Sequence, residues 1–328
     1  MISRRRLLAG TLAALVPVVA RPQPSRRAIR LAWFSDGALD DQRPYVDAFR
    51  EGMKRQGLVE GRDFSVAYFW RGMSSTVPFD ELARQVVGSH PDIIVATCEV
   101  SADAARKATA SIPIVMTAST DPVSTGTVAS LARPGGNVTG ISSALLAVGA
   151  KHFEILKEIV PSAARVEVLR WKEDPLSPQE MEFLQKAARA AGVSMSVAEV
   201  ADAAELERVF AAGRKSRTSG MIDALAFTWG ERYLPQVCET AARSRTPVVH
   251  YLREAVESGG LVSFGPNLSE GFRRSAHYVS RLAAGARAGD LPIEQPDKIE
   301  TCVNLRTARR IGVTIPESIL LRADRVVS

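Results

Sequence analysis

Short apolar runs recur along the chain at a steady interval, and amphipathic helix-like segments separate nearly all of them. Runs of this length, bounded by polar residues, are typical of buried β-strands. The predicted strands are IRLAWF (29–34), FSVAYFW (64–70), DIIVAT (92–97), IPIVMT (112–117), RVEVLR (165–170), VSMSVAEV (193–200), MIDALAF (221–227) and PVVHY (247–251). The alternation of strand and helix predicts parallel sheets covered by helices on both faces.

The segments between the strands carry apolar residues at helical spacing. Val46, Phe49 and Met53 share one face of the first segment, as an amphipathic helix requires. Asp202 and Glu205 form a plausible capping box at the start of a later one.

One long polar stretch, STDPVSTGTVASLARPGGNVTG (119–140), divides the strands into two series of four. It is less repetitive than a linker and far longer than a tight turn. Because it interrupts the alternation where a crossover would begin, we expect two similar lobes with separate sheets. Its hydroxyls are expected to line a ligand site, and its Pro-Gly-Gly portion leads toward a hinge.

After residue 251 the pattern becomes irregular, with a long helical stretch from Leu268 to Ala286 and a strand near Ile299–Val303. We expect that helix to return to the first lobe, so that several crossings form a hinge. The predicted fold is α/β, with two Rossmann-like lobes of parallel strands joined by a multi-strand hinge. The predicted boundaries are 28–140 plus about 263–290 for the N-terminal lobe, and 141–262 plus about 291–328 for the C-terminal lobe.

The N-terminal segment SRRRLLAGTLAALVPVVA has a basic start, an apolar stretch and a small-residue end. This pattern predicts a signal peptide over residues 1–20, and its paired arginines favour the twin-arginine export route. It carries no cysteine for lipid attachment at the cut, so the expected product is a soluble periplasmic protein.

Charge and cysteine content exclude several classes of protein. The formal net charge is +6, but without Arg4–Arg6 only 39 basic residues face 36 acidic ones. These are interleaved and lack the aromatic spacing of a nucleic-acid surface, so no nucleic-acid partner is predicted. The three cysteines and four histidines show no disulfide or metal-ligand spacing, so no metal or cofactor is predicted. They are Cys98, Cys238, Cys302, His90, His152, His250 and His277.

In open parallel sheets, ligands bind beyond the carboxyl ends of the strands. The residues there divide by chemistry, with hydroxyls, a thiol and acids in the first lobe and mostly aromatic or basic residues in the second. The candidate ligand-binding residues are Ser35, Asp36, Cys98, Glu99, Ser101, Thr120 and Asp121 in the first lobe, and Trp171, Lys172, Thr228, Trp229 and Tyr251 in the second. A cleft between the lobes would hold a small molecule by hydrogen bonds on one side and stacking on the other.

Some of these residues have a second reading. Asp121 and Pro122 also fit the cap of a short helix beginning near Val123, and aromatic residues at strand ends can pack under loops. Glu99 and Asp121 would form an acid/base pair if they faced each other. The chain has no nucleophile elbow, no Walker sequence and no GxGxxG after the first strand. We therefore expect a binding protein and not an enzyme.

Four long motifs resemble the solute-binding proteins of bacterial ABC transporters, in the branch that includes tryptophan/tyrosine-type binding proteins. They are AFREGMKRQGLVEGRDFSVAYFWRG, DPVSTGTVASLARPGGNVTGIS, AVESGGLVSFGPNLSEGFRRSAHYV and DLPIEQPDKIETCVNLRTARRIGVTIPESILLRADRVV, and the match runs from about Ile29 to Val327. The resemblance implies a type I periplasmic binding fold with three hinge strands. It also implies capture of a small solute by closure and docking of the closed form on an ABC permease in the inner membrane, without covalent chemistry. We expect a monomer.

The resemblance is weakest at the cleft. Where the family has small residues and then Thr-Pro-Ala, this chain has TCEVSAD, and where the family has Asn-Pro it has Trp171-Lys172. Glu99 favours a cationic group on the ligand, and Trp171 favours a flat or apolar one. A sensor that presents the bound solute to a membrane receptor or kinase remains the alternative function.

Overall fold

A computed structural model describes residues 27–37, 39–72, 77–172, 178–224 and 230–328. The predicted signal peptide lies outside these residues. The described chain forms two lobes, each built on its own sheet with helices on both faces. The predicted α/β class with two separate sheets is therefore confirmed.

The first lobe contains five parallel strands in the spatial order β2-β1-β3-β4-β5. These strands are β1 (Ile29–Ser35), β2 (Phe64–Trp70), β3 (Ile93–Ala96), β4 (Ile114–Ser119) and β5 (Val138–Ser142). The helices between them are α1 (Leu39–Arg55), α2 (Phe79–Gly88) and α3 (Glu99–Ala108). Alternate strand residues point to opposite faces, so each face of this sheet is apolar and needs a helical cover.

The second lobe contains seven strands in the order β12-β11-β10-β9-β8-β6-β7, and only the β10–β11 pair is antiparallel. The strands are β6 (Arg165–Trp171), β7 (Ser194–Val200), β8 (Gly220–Asp223), β9 (Val248–His250), β10 (Val262–Pro266), β11 (Ile299–Asn304) and β12 (Arg325–Val327). The remaining helices are α4 (Leu145–Ile159), α5 (Pro178–Ala190), α6 (Ala203–Lys215), α7 (Gly230–Ser244), α8 (Arg253–Glu257), α9 (Leu268–Ala283), α10 (Leu305–Ile311) and α11 (Glu317–Leu320). Helix α6 begins at the predicted cap, because Asp202 Oδ1 accepts a hydrogen bond from Glu205 N at 2.7 Å.

Helix α9 belongs to the first lobe although it follows a strand of the second. It packs against α1, β4 and β5. Its buried Phe272 stacks on Trp33 of β1, with ring centroids 5.7 Å apart, and on Tyr45 of α1, at 4.8 Å. The apolar face of the first sheet is thus completed by a helix more than 120 residues farther along the chain.

The chain crosses between the lobes three times, as the sequence predicted for a multi-strand hinge. The first crossing, at residues 143–144, connects β5 to α4, and the second, at Asn267, connects β10 to α9. The third crossing follows a 3-10 turn (Ala288–Asp290). After this turn, Glu294 forms a β-bridge with Ile141 of β5, and the chain then enters β11. Three adjacent crossings restrain the lobes far more than one tether would.

The structure also differs from the expectations in detail. Residues 138–142 form β5, whereas the sequence assigned residues up to Gly140 to the loop. Residues 263–266, assigned to the first lobe, pair with β9 and β11 in the second sheet. The chain near Val123 forms turns instead of a helix. None of the helices in the described ranges is both long and apolar enough to cross a membrane.

Candidate functional site

The carboxyl ends of the first-lobe strands bring several buried hydroxyl groups to one edge of the sheet. Ser35 ends β1, and its Oγ accepts hydrogen bonds from Thr97 Oγ1 at 2.8 Å and from Gly37 N at 3.2 Å. Ser143, at the first crossing, donates from both its N and its Oγ to Ser119 O, at 2.7 and 3.1 Å. These bonds tie the strand ends together, so the edge is rigid and polar.

Glu99 lies at this edge, in the first turn of α3, and it is partly exposed. Its carboxylate accepts hydrogen bonds from three hydroxyls of the chain that follows β4. Ser119 Oγ donates to Oε2, while Thr125 Oγ1 and Thr127 Oγ1 donate to Oε1 at 2.7 and 3.1 Å. The helix N-terminus also favours a negative charge here.

Asp121 organises the same loop from within. Its Oδ1 accepts hydrogen bonds from Val123 N at 3.3 Å and from Ser124 N at 3.2 Å, and its carbonyl oxygen lies 3.2 Å from Thr125 Oγ1. This turn positions Thr125 toward Glu99. The Ser- and Thr-rich composition of the loop therefore supplies the hydroxyls around the Glu99 carboxylate.

A second carboxyl, that of Asp36, follows β1. Burial raises the pKa of Asp36, and hydrogen bonds from backbone amides and from the Cys98 thiol oppose that shift. Burial, reinforced by the charge of Asp36, raises the pKa of Cys98. Ser101 is fully buried and caps α3, because its Oγ accepts from Cys98 N at 3.1 Å and donates to Cys98 O at 2.9 Å. Cys98 and Ser101 thus hold the helix that carries Glu99.

Thr120 and Asp121, two further first-lobe candidates, make different contacts. Thr120 is partly exposed, and its carbonyl accepts a 3.4 Å hydrogen bond from Ser142 Oγ. The Asp121 carboxylate is linked to Glu99 only indirectly, through Thr125, whose Oγ1 donates to Glu99 Oε1 and lies 3.2 Å from the Asp121 carbonyl oxygen. In this arrangement both carboxylates accept local hydrogen bonds.

The described part of the second lobe contributes one aromatic candidate residue, Tyr251. Tyr251 follows β9, is 7% exposed and packs on His152 of α4, with ring centroids 3.9 Å apart. His152 Nε2 donates to Phe264 O at 2.6 Å, and its Nδ1 is buried without a hydrogen-bond partner. Burial lowers the pKa of His152 from 6.5 to about 4, so the ring is neutral near pH 7.

Of the other second-lobe candidates, the described part of the structure includes the backbone of Trp171 and the whole of Lys172. Trp171 ends β6 opposite Val200 of β7, but its side chain lies outside the described part of the structure. Lys172 is exposed, and its backbone N donates to Val200 O. Thr228 and Trp229 lie outside the described residues.

Sequence reasoning missed a buried polar row across the second sheet. Asp223, His250 and Ser263 are register neighbours on β8, β9 and β10, and each is almost fully buried. His250 Nδ1 lies 2.7 Å from Asp223 Oδ2, whereas His250 Nε2 and Ser263 Oγ have no hydrogen-bond partner among the described residues. The available signal is weak: a polar residue in each of three apolar strands, at positions that only the strand register aligns.

The two lobes touch across the cleft, where α1 approaches α7. The candidate residues therefore form one cluster of acids and hydroxyls on the first lobe and one aromatic position, Tyr251, on the described part of the second. Among the described residues there is no group of three His, Cys, Asp or Glu side chains that could hold a metal ion. The chemistry of the cluster suits an organic molecule that carries hydrogen-bond donors.

Comparisons with known proteins agree with this architecture. Residues 35–327 match the family model described as ABC transporter substrate binding protein. A tyrosine-binding protein of Clostridioides difficile (strain R20291) is 26% identical over 279 residues, which cover 83% of this chain and 79% of that protein.

Two solved structures cover 92% of this chain and the whole of their own. A conserved domain protein of Vibrio cholerae is 27% identical with a TM-score of 0.81. An ABC domain from Streptococcus pneumoniae in complex with L-Trp is 21% identical with a TM-score of 0.80. Sugar-binding proteins of ABC transporters share the same two-lobed architecture, which is the type I periplasmic binding fold.

Proposed function

Because this chain belongs to the family of ABC transporter substrate-binding proteins, we propose that it captures a small amino-acid-like or aromatic solute between its lobes and delivers it to an ABC importer. The lobes close around the solute by rotation about the three crossings. The closed form then docks on a permease in the inner membrane. The predicted signal peptide gives the protein a periplasmic location.

The observation that carries this proposal is the state of the Glu99 carboxylate. Three neutral hydroxyls hold it in place, and no cationic side chain of the described residues pairs with it. The carboxylate lies at the edge of the cleft and is partly exposed. An ammonium group of a solute would bind there with a charge-assisted hydrogen bond.

The remaining part of the solute would meet the second lobe. Tyr251 offers an aromatic ring at the end of β9, and the sequence predicts that Trp171 and Trp229 follow strands of the same lobe. Aromatic side chains bind flat or apolar bodies well. The relatives named for tyrosine and bound to L-Trp support an aromatic amino acid as the first solute to test.

The α1–α7 contact supports closure as the transmitting step. A solute that contacts both lobes binds the closed arrangement better than the open one, and that difference in affinity shifts the population toward closure. The change in interlobe angle is what a permease would recognise.

The test is calorimetric titration of the purified protein after any co-purified ligand has been removed by unfolding and refolding. Tyrosine and tryptophan are compared with the analogues that lack only the amine, 3-(4-hydroxyphenyl)propionate and indole-3-propionate. We expect saturable binding of an amino acid, weaker binding of the analogue, and no product after long incubation.

Two matched variants locate the ammonium site. Glu99→Gln keeps the shape of the side chain and removes its charge, so affinity should fall roughly 10- to 100-fold, the effect of a charge-assisted hydrogen bond. Glu154→Gln removes an exposed carboxylate that pairs with Lys151 on α4, and it should leave affinity unchanged. Equal binding by the wild type and Glu99→Gln would disprove the role of Glu99, and formation of a product would disprove the binding-protein function.

A further inference from the structure

A cavity of about 300 Å³ lies at the three crossings, apart from the cleft. The N-terminus of α9, the end of β5 and residues 294–300 enclose it, and we call it the hinge cavity. None of the candidate cleft residues in the described part of the chain lines it. Its volume is at the lower end of the range for sites that bind small organic molecules.

Every crossing contributes to the wall of this cavity. Ser143 comes from the first crossing, Asn267 from the second and Pro296 from the third. Rotation of the lobes must change the backbone at these positions. The shape of the hinge cavity is therefore tied to the interlobe angle.

The floor of the hinge cavity is apolar. Ile141, Pro266 and Leu268 are buried, and Pro296 is partly buried. Gly271 of α9 also lines it, where the helix approaches Thr117 O so closely that a Cβ would lie 3.3 Å away. This floor suits the hydrocarbon part of a ligand.

The rim carries charges that do not balance. Both basic side chains that line the cavity are already paired. The Arg274 guanidinium donates to both oxygens of Glu294, at 2.7 and 2.9 Å. Lys298 Nζ lies 2.5 Å from Asp324, an acid outside the cavity. Asp297 is exposed and makes no ion pair with any described residue. The rim therefore presents an excess of negative charge.

The charge of Glu300, a second acid that lines the cavity, is only partly compensated. Arg253 Nη1 is 3.6 Å from Glu300 Oε2, and Asn267 Nδ2 donates to Glu300 Oε1 at 3.4 Å. Both contacts are long for charge-assisted bonds. A ligand cation would thus find two carboxylates, those of Asp297 and Glu300, at the mouth of an apolar cavity.

We propose that the hinge cavity is a second ligand site, which takes a small organic cation with an apolar body, such as an arylalkylammonium, and thereby stabilises the present interlobe arrangement. A ligand that fits the cavity at the present hinge angle binds this arrangement of the lobes more tightly than an arrangement with a different hinge angle. Its binding therefore shifts the lobes toward the arrangement in which α1 meets α7. Binding in the cavity is independent of the proposed function. Only its consequence rests on that function, because positive coupling to the cleft solute requires the cleft to bind one.

The first experiment measures occupancy directly. The full chain is labelled with ¹³C at isoleucine δ1 methyls, the Ile141 signal is assigned from the variant Ile141→Val, and benzylammonium is the probe. The Glu99→Gln background weakens binding of the amine at the proposed cleft site, so that a shift which persists unchanged in it is assigned to the hinge cavity. We expect a saturable shift of the Ile141 signal with benzylammonium and a much smaller one with benzyl alcohol or benzoate.

A pair of charge variants separates the rim from general electrostatics. Asp297→Asn should weaken benzylammonium binding by about tenfold, the effect expected for one partly exposed charge-assisted bond. Asp290→Asn removes an exposed acid that does not line the cavity and should leave binding unchanged. A non-saturating shift, equal shifts with all three probes, or no effect of Asp297→Asn would overturn the proposed cation site.

The second experiment measures the interlobe arrangement. Spin labels are attached to Arg84→Cys on α2 and Arg208→Cys on α6, both exposed, while the native cysteines are buried. Benzylammonium in the Glu99→Gln background should narrow the distribution of distances between the labels. An unchanged distribution at saturating benzylammonium would overturn the coupling, and an effect that requires an intact Glu99 would assign the amine to the cleft and overturn the hinge site.

Discussion

The buried imidazole of His152 should make the protein lose stability in mild acid. In the folded state its pKa is lowered to about 4 by burial, against 6.5 for an exposed histidine. Below pH 6.5 the unfolded chain therefore binds a proton that the folded protein does not. The stability associated with the neutral ring is fully present above pH 6.5, falls as the pH drops from 6.5 to about 4, and changes no further below that.

The size of the effect follows from the two pKa values. Between pH 7 and pH 5 the expected loss in the free energy of unfolding is about 2 kcal/mol from this one group. The charged groups that act on the ring are few. His250 opposes its protonation and Asp223 favours it, and both effects are smaller than that of burial.

The assay compares urea unfolding of the wild type and His152→Gln at pH 7 and pH 5, followed by far-UV circular dichroism. Glutamine can still donate a hydrogen bond to Phe264 O, but it does not titrate. The wild type should lose about 2 kcal/mol more than the variant over this interval, whatever the variant costs at pH 7. Equal losses in both proteins would refute the conclusion that the buried ring stays neutral.

Two further predictions concern packing. Gly140→Ala should destabilise the protein by several kcal/mol in a thermal unfolding assay, because a Cβ there would overlap Met116 O and the backbone φ is +130°. The control Gly136→Ala has open space around it and should be nearly neutral in the same assay. Similar effects of the two changes would contradict the close approach of β4 and β5. The three cysteines are buried, and burial raises the pKa of each thiol. A colorimetric disulfide reagent should therefore react slowly with the thiols of the native protein, and it should detect three thiols per chain after unfolding. Fast reaction of the native protein would show that the regions around the cysteines open readily.

The architecture could be predicted from the sequence because its central strands are continuous apolar runs and its edge strands β2 and β7 alternate between more and less buried residues. The run 64–70 matches β2 to the residue, and the run 29–34 falls one residue short of β1. Strand β5 was missed for a physical reason. Its sequence VTGIS contains a threonine that is buried only because Thr139 Oγ1 donates to Leu291 O, and a glycine required by the neighbouring strand.

The candidate site was predictable in position and not in detail. Parallel strands place their ends at one edge, so Ser35 and Glu99 could be expected near each other. The hydroxyls that hold Glu99 come from 20 to 28 residues away, and only the fold of the loop decides which of its Ser and Thr side chains reach the carboxylate. The pairing of Asp223 with His250 depends on strand register, which periodicity does not specify.

The position of α9 has a consequence for synthesis. The sheet of the first lobe ends with β5, but the helix that covers Trp33 and Tyr45 is complete about 140 residues later. At ordinary rates of translation this interval is roughly seven to thirty seconds. During that time the nascent chain exposes an apolar sheet face that a chaperone can bind, and a chain that stops before residue 268 can complete neither lobe.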